Sequence, residues 1–180
     1  MGNCNSCPSK NNCNKQDTCT IENNPNNKIK NIIGVMSGKG GVGKSTITSL
    51  IAKQLSKSGY KVGILDADIT GPSIPRLMGV QYERAFSNNG TDIYPIITKE
   101  NIKTMSVNFM VNDESQPVVW KGPLISNTIK QFYKDVMWEE LDYLLIDMPP
   151  GTGDVALTVM QSLPLTGMIM VSVPQDMISM

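Results

Sequence analysis

The stretch IIGVMSGKGGVGKSTITSLIAKQLSKSG, residues 32 to 59, most constrains what this chain can fold into. A short apolar run, Ile32 to Ser37, meets a glycine-rich segment at once and suits a buried parallel strand. Apolar residues then recur at Ile47, Leu50, Ile51 and Leu55, a helical stripe over Lys44 to Lys57 that Gly59 closes as a C-terminal stop. A second apolar run, KVGILDAD, follows from Lys61 to Asp68 and ends in carboxylates. Strand, glycine loop, helix and strand in succession imply parallel strands joined through a helix.

The pattern continues less tidily. IKTMSVNF (Ile102 to Phe109), DYLLIDMPP (Asp142 to Pro150) and GMIMVSVP (Gly167 to Pro174) read as further strands. Leu124 to Met137 and Val155 to Leu163 read as helices, while the polar stretch 87–99 reads as a hairpin or loop insertion. The predicted architecture is an α/β fold, a parallel β-sheet with helices on both faces, over residues 31–180. Residues 1–30 are rich in asparagine and poor in large aliphatics. They cannot bury enough apolar area to order themselves and are expected to be a flexible tail. The sequence stops after SVPQDMISM, where a helix should begin. The expectation is therefore an N-terminal portion of a longer protein, with the sheet incomplete on its C-terminal side.

Bulk properties narrow the function. Sixteen basic and sixteen acidic residues leave no net charge, and no basic run offers a nucleic-acid footprint. No apolar run approaches the ~18 residues of a membrane span, so no membrane association is expected. The N-terminus lacks an apolar signal core, which predicts a cytoplasmic protein. The chain has no histidine, excluding an imidazole base or ligand. Chemistry falls to Lys, Asp, Ser, Thr, Cys and backbone groups.

Gly38, Lys39, Gly40, Gly41, Val42, Gly43, Lys44 and Ser45 satisfy every fixed position of G-x-x-x-x-G-K-[ST], between a strand and a helix. Glycines let backbone N–H groups curl around a phosphate, and the helix N-terminus adds unpaired donors and a favourable dipole. Lys44 is placed to bring a cation to the β- and γ-phosphates, Ser45 a hydroxyl to Mg²⁺, and Thr46 a donor to the α-phosphate. Asp147, closing DYLLID, is the candidate carboxylate for Mg²⁺. Asp66 and Asp68 end the second strand, where strand periodicity would point both to one face. Asp66 is then either a supporting group or the polar end of the strand. Asp154 reads as a helix N-cap.

The second lysine, Lys39, makes GKGGVGKS resemble the deviant Walker A loop of the dimeric P-loop ATPases, the group that includes MinD, ParA and the nitrogenase iron protein. In that group the extra lysine reaches the partner's phosphates across a nucleotide sandwich, a cation supplied in trans. Asp68 falls where these proteins carry the aspartate that orients the attacking water. Within the group, DADITGPSIPRLMG (Asp66 to Gly79), Trp-Lys-Gly-Pro at residues 120–123 and LLIDMPPGTGDVALTVMQSLPLTGMIMVSVPQ (Leu144 to Gln175) resemble the Mrp-type iron–sulfur cluster carriers, relatives of Nbp, Cfd and ApbC. The resemblance covers about residues 31–180. It implies a P-loop ATPase that hydrolyses ATP slowly as a homodimer, with Lys39, Lys44 and Asp68 in catalysis, and transfers [4Fe–4S] clusters from cluster donors to apo-proteins. It also implies a bridging C-x-x-C pair beyond Met180. A MinD- or ParA-type positioning ATPase is the alternative, which PPGTGD and the cysteines disfavour.

All four cysteines lie in CNSCPSKNNCNKQDTC, at Cys4, Cys7, Cys13 and Cys19. Four clustered thiols in an intracellular chain favour a metal or cluster. The C-x2-C-x5-C part resembles the N-terminal motif of the Nbp branch, but Cys19 stands downstream where that branch has a cysteine upstream. A [4Fe–4S] cluster, a zinc site and free thiols all remain open readings.

Overall fold

A computed structural model describes residues 24–68, 71, 73–87, 92–110, 122–151 and 153–174. Cys4, Cys7, Cys13 and Cys19 lie outside the described residues, as do Trp120 and Lys121.

Strand β1 (Lys28–Ser37) leads through the glycine loop into helix α1 (Lys44–Lys57) and then β2 (Val62–Asp66). The short helix α2 (Ile74–Leu77) follows, with β3 (Phe86–Ser87), β4 (Ile93–Tyr94), β5 (Ile96–Ile97) and β6 (Lys103–Met105). A 3-10 turn (Val107–Phe109), α3 (Gly122–Asp135), β7 (Glu140–Asp147), α4 (Asp154–Ser162) and β8 (Gly167–Val171) complete the order.

Among the described residues, six strands form one sheet in the order β5-β6-β2-β7-β1-β8. The pairs β6–β2, β2–β7, β7–β1 and β1–β8 are all parallel, and β5 is an antiparallel edge on β6. The crossover from β1 to β2 runs one way along the sheet. Those from β6 to β7 and from β7 to β8 run the other way. With right-handed crossovers, α1 therefore covers one face while α3 and α4 pack together on the opposite face. The predicted two-sided α/β sheet is present.

Several local expectations are revised. Strand β1 begins at Lys28, four residues before the apolar run, because Asn27 anchors its entry: Nδ2 donates to the Val136 carbonyl at 2.8 Å, and Oδ1 accepts the Glu139 N–H at 2.8 Å. Helix α1 has the expected bounds, and Gly59, at φ 89°, terminates it by donating its N–H to the Ser56 carbonyl. Its inward face differs from the expected stripe. Thr48, Ser49 and Ala52 are buried with Ile51 and Leu55 packed beside them, whereas Ile47 and Leu50 face outward. Small residues bring the helix close to the sheet. The segment expected as a strand to Phe109 stops at Met105, where Ser106 caps the 3-10 turn. Asp154 is the first residue of α4, with Gly153 as its N-cap, so it is not the capping residue.

The core lies between the sheet and its helices. All five residues of β2 are buried, as are Leu144 to Asp147 of β7. On the α3 side Ile129, Phe132, Tyr133, Val136 and Trp138 are nearly or fully buried. Gly63 is a packing requirement: a Cβ there would stand 2.7 Å from Leu141 Cδ1 and 3.2 Å from the Trp138 ring. The result is that β1, β2 and β7 end side by side, with Val35 and Asp66 both in register with Asp147.

Candidate functional site

The loop between β1 and α1 is shaped by its glycines. Gly41 (φ 79°) and Gly43 (φ 86°) occupy the left-handed region that side chains avoid, and Gly43 is the N-cap of α1. Across from this loop the segment after β7 folds back, and Gly151 (φ 85°) donates its N–H to the Ser37 carbonyl at 2.8 Å. This tie sets the PPG turn beside the glycine loop.

A cavity of about 420 Å³ lies over the loop. Gly40, Gly41, Gly43, Lys44, Ser45 and Thr46 line one side, and Asp68 and Arg76 are among the residues opposite. Lys39 and Gly38 are exposed and outside this lining, and half-buried Val42 lies outside it too.

The base of the cavity is a compact polar cluster. Lys44, only 6% exposed, places Nζ 2.9 Å from Asp147 Oδ2 and 3.8 Å from Asp68 Oδ2. Ser45 Oγ donates to Asp147 Oδ2 at 2.6 Å, and Thr48 Oγ1 donates to Asp147 Oδ1 at 2.9 Å. Asp147 is fully buried, so its charge is held by one ammonium and two hydroxyls. Such a pair is costly to break, because an unpartnered buried charge destabilises by about 3–5 kcal/mol. Phosphates entering the cavity would have to offer Lys44 a replacement partner.

Asp66 neighbours Asp147 across the sheet and is 1% exposed. Burial pushes its carboxyl up to about 8, with the Asp147 charge adding to the effect; the Asp68 N–H and Lys44 oppose it. Asp66 and Asp68 do not share a strand face as expected. The strand ends at Asp66, and Asp68 N–H turns back to Asp66 Oδ1 at 3.1 Å. A pH dependence follows. Between about pH 4 and pH 8 the folded nucleotide-free protein holds a proton on Asp66 that the unfolded chain has released, so stability falls as pH rises through that window. Thermal melts should show this decline, and Asp66→Asn should flatten it and be the more stable protein near its upper end. An unchanged slope in the variant would assign the decline to other groups.

Sequence reading did not single out Thr48, Ser106 or Arg76. Thr48 carried a legible signal, since it sits one turn after Lys44 on the same helix face. Arg76 sits in the irregular stretch after β2, where no periodicity marks an inward residue. The donor set suits magnesium. A hydroxyl and a carboxylate already in contact are hard oxygen ligands, and Mg²⁺ characteristically adds phosphate and water oxygens to one or two carboxylates.

This arrangement of loop, lysine, serine and strand-end aspartate can be set against known proteins. A sequence model of the ParA group, described as NUBPL iron-transfer P-loop NTPase, matches residues 28–180. The chain belongs to this family. An iron–sulfur cluster carrier protein of Clostridium perfringens is 50% identical, the match covering 100% of this chain and 68% of that one. The carrier protein of Methanocaldococcus jannaschii is also 50% identical, over 97% of this chain and 62% of its own length. That of Escherichia coli is 47% identical, and there the match spans only 42% of the relative. A nucleotide-binding protein of Archaeoglobus fulgidus, solved in complex with ADP, superposes with a TM-score of 0.72 at 48% identity, covering 82% of this chain and 56% of that one. MinD of Pyrococcus horikoshii, solved with Mg-ADP, shares the fold alone, with a TM-score of 0.52 at 24% identity. Among the described residues no helix is long and apolar enough to cross a membrane.

Proposed function

We propose that this chain binds Mg-ATP in the cavity over Lys44, hydrolyses it slowly, and carries [4Fe–4S] clusters that it passes from donors to apo-proteins in the cytoplasm. The observation that carries the reading is the Lys44–Asp147–Ser45 cluster beneath a glycine loop, in a member of an iron-transfer NTPase family. The carrier names of relatives near 50% identity support the cargo. Likeness to MinD is one of fold, so nothing specific favours a positioning ATPase.

In this reading Lys44 exchanges its carboxylate partners for the β- and γ-phosphate oxygens, and the loop N–H groups between Gly38 and Thr46 wrap the phosphate chain. Ser45 and Asp147 are the residues that would hold Mg²⁺, which when bound neutralises charge on the β- and γ-phosphates. Asp68 orients the attacking water from the opposite rim. Lys39, exposed beside the loop, is free of its own cavity and is assigned to the phosphates of a second copy in a homodimer, where a cation in trans offsets developing charge.

The cluster is cargo, and Cys4, Cys7, Cys13 and Cys19 are proposed as an N-terminal site for it. Anaerobic incubation of the full chain with iron and sulfide should give a coloured protein whose visible absorbance falls when Cys4 and Cys7 become alanine. A colourless protein that takes up zinc at those cysteines would contradict the cluster assignment.

A further inference from the structure

We infer that Asp66 and Ser106 are positioning residues for Asp68, a buried relay from the end of β6 to the rim of the phosphate cavity. The inference rests on the reading of Asp68 as the water-orienting group and adds what holds it in place.

Both carboxylate oxygens of Asp66 are engaged. Oδ1 accepts the Asp68 N–H at 3.1 Å, and Oδ2 accepts the Ser106 hydroxyl at 3.3 Å. Ser106 is fully buried in extended backbone (φ −146°, ψ 155°) between β6 and the 3-10 turn. Its oxygen also accepts the Asn108 N–H at 3.4 Å, so the hydroxyl is fixed by the cap it provides. The side chain thus cannot swing away without uncapping the turn.

The consequence falls on Asp68. A continued strand would carry its carboxylate about 7 Å further along the direction of β2. Instead, the turn closed by Asp66 stops the strand and leaves the Asp68 carboxylate lining the cavity, 3.8 Å from Lys44 Nζ and 13% exposed. The backbone turn closed by Asp66 thus sets the point from which the Asp68 side chain reaches the cavity. The anchor here is a carboxyl group whose own orientation depends on a hydroxyl just past the end of β6. Two independent crossovers therefore meet at the group that must face the water.

The relay makes a separable prediction in the full chain. Ser106→Ala removes one of the two holds on Asp66 and should lower kcat about tenfold, the size of one lost hydrogen bond. Asp66→Ala removes both holds and should lower kcat about a hundredfold. Affinity for Mg-ADP should stay within about twofold in each, because neither group lines the cavity. Asp66→Asn, which keeps an acceptor for Asp68 and a partner for Ser106, should retain more kcat than Asp66→Ala. Crystal structures of Ser106→Ala should show the Asp68 carboxylate displaced from Lys44. An unmoved Asp68, an unchanged kcat in Ser106→Ala, or equal losses of kcat and Mg-ADP affinity would each overturn the relay. A wild-type chain that binds Mg-ATP but never hydrolyses it would instead overturn the reading of Asp68, and its position in Ser106→Ala would still decide the relay.

Discussion

Lys44→Ala is expected to lower Mg-ATP affinity by a hundredfold or more, to the point where calorimetry detects no binding. A desolvated charge pair, once truncated, commonly costs about 2–5 kcal/mol in binding, and each 1.4 kcal/mol is about tenfold. Lys44 is almost buried at the base of the cavity and lines it beside the glycine loop. The variant also strips Asp147 of its ion-pair partner and leaves only Ser45 and Thr48 hydroxyls to hold a fully buried carboxylate. The nucleotide-free protein should therefore melt earlier. Lys44→Met, which keeps the aliphatic stem, separates lost charge from lost packing. Tight Mg-ATP binding by a folded Lys44→Met protein would remove Lys44, and with it the phosphate site, from the account.

Asp68→Asn should leave Mg-ATP affinity within a few-fold of wild type while kcat falls about 10²–10⁴-fold, the usual contribution of a positioned acid–base group. The substitution keeps shape and leaves the backbone N–H on Asp66 untouched. It weakens the 3.8 Å contact with Lys44, which keeps its shorter pair with Asp147 at 2.9 Å. A burst-free steady-state assay with parallel calorimetry reads both quantities. Normal turnover in this variant would take Asp68 out of the mechanism; loss of binding equal to loss of turnover would make it a binding residue.

Much of the fold was legible because its signals are local. The β1–glycine–α1 unit sits in one uninterrupted stretch, and its helix bounds came from an apolar stripe and the glycine that closes it. Strands β7 and β8 announced themselves as apolar runs. What was hidden depends on pairing between distant segments. The antiparallel edge strand β5 has only two residues and no pattern of its own. Ser106 reads as one polar residue inside an apolar strand, and only the neighbouring β2 gives its hydroxyl a partner. The stripe assigned to α1 was misjudged for the same reason. Ile47 and Leu50 fit helical spacing, yet close approach to the sheet selected Thr48, Ser49 and Ala52. At the site, the residues lining the loop side of the cavity followed from the motif, while the turn that brings Asp68 to the rim came from side-chain hydrogen bonding that strand periodicity does not encode.

The central claim joins a nucleotide site to a cluster cargo, and cluster transfer tests the join most directly. The reconstituted full chain should pass its cluster to an apo iron–sulfur protein at a rate that changes with Mg-ATP, and Lys44→Met should transfer at a rate indifferent to it. A wild-type chain that carries no cluster, or one whose transfer ignores Mg-ATP while the nucleotide is bound, would contradict the account.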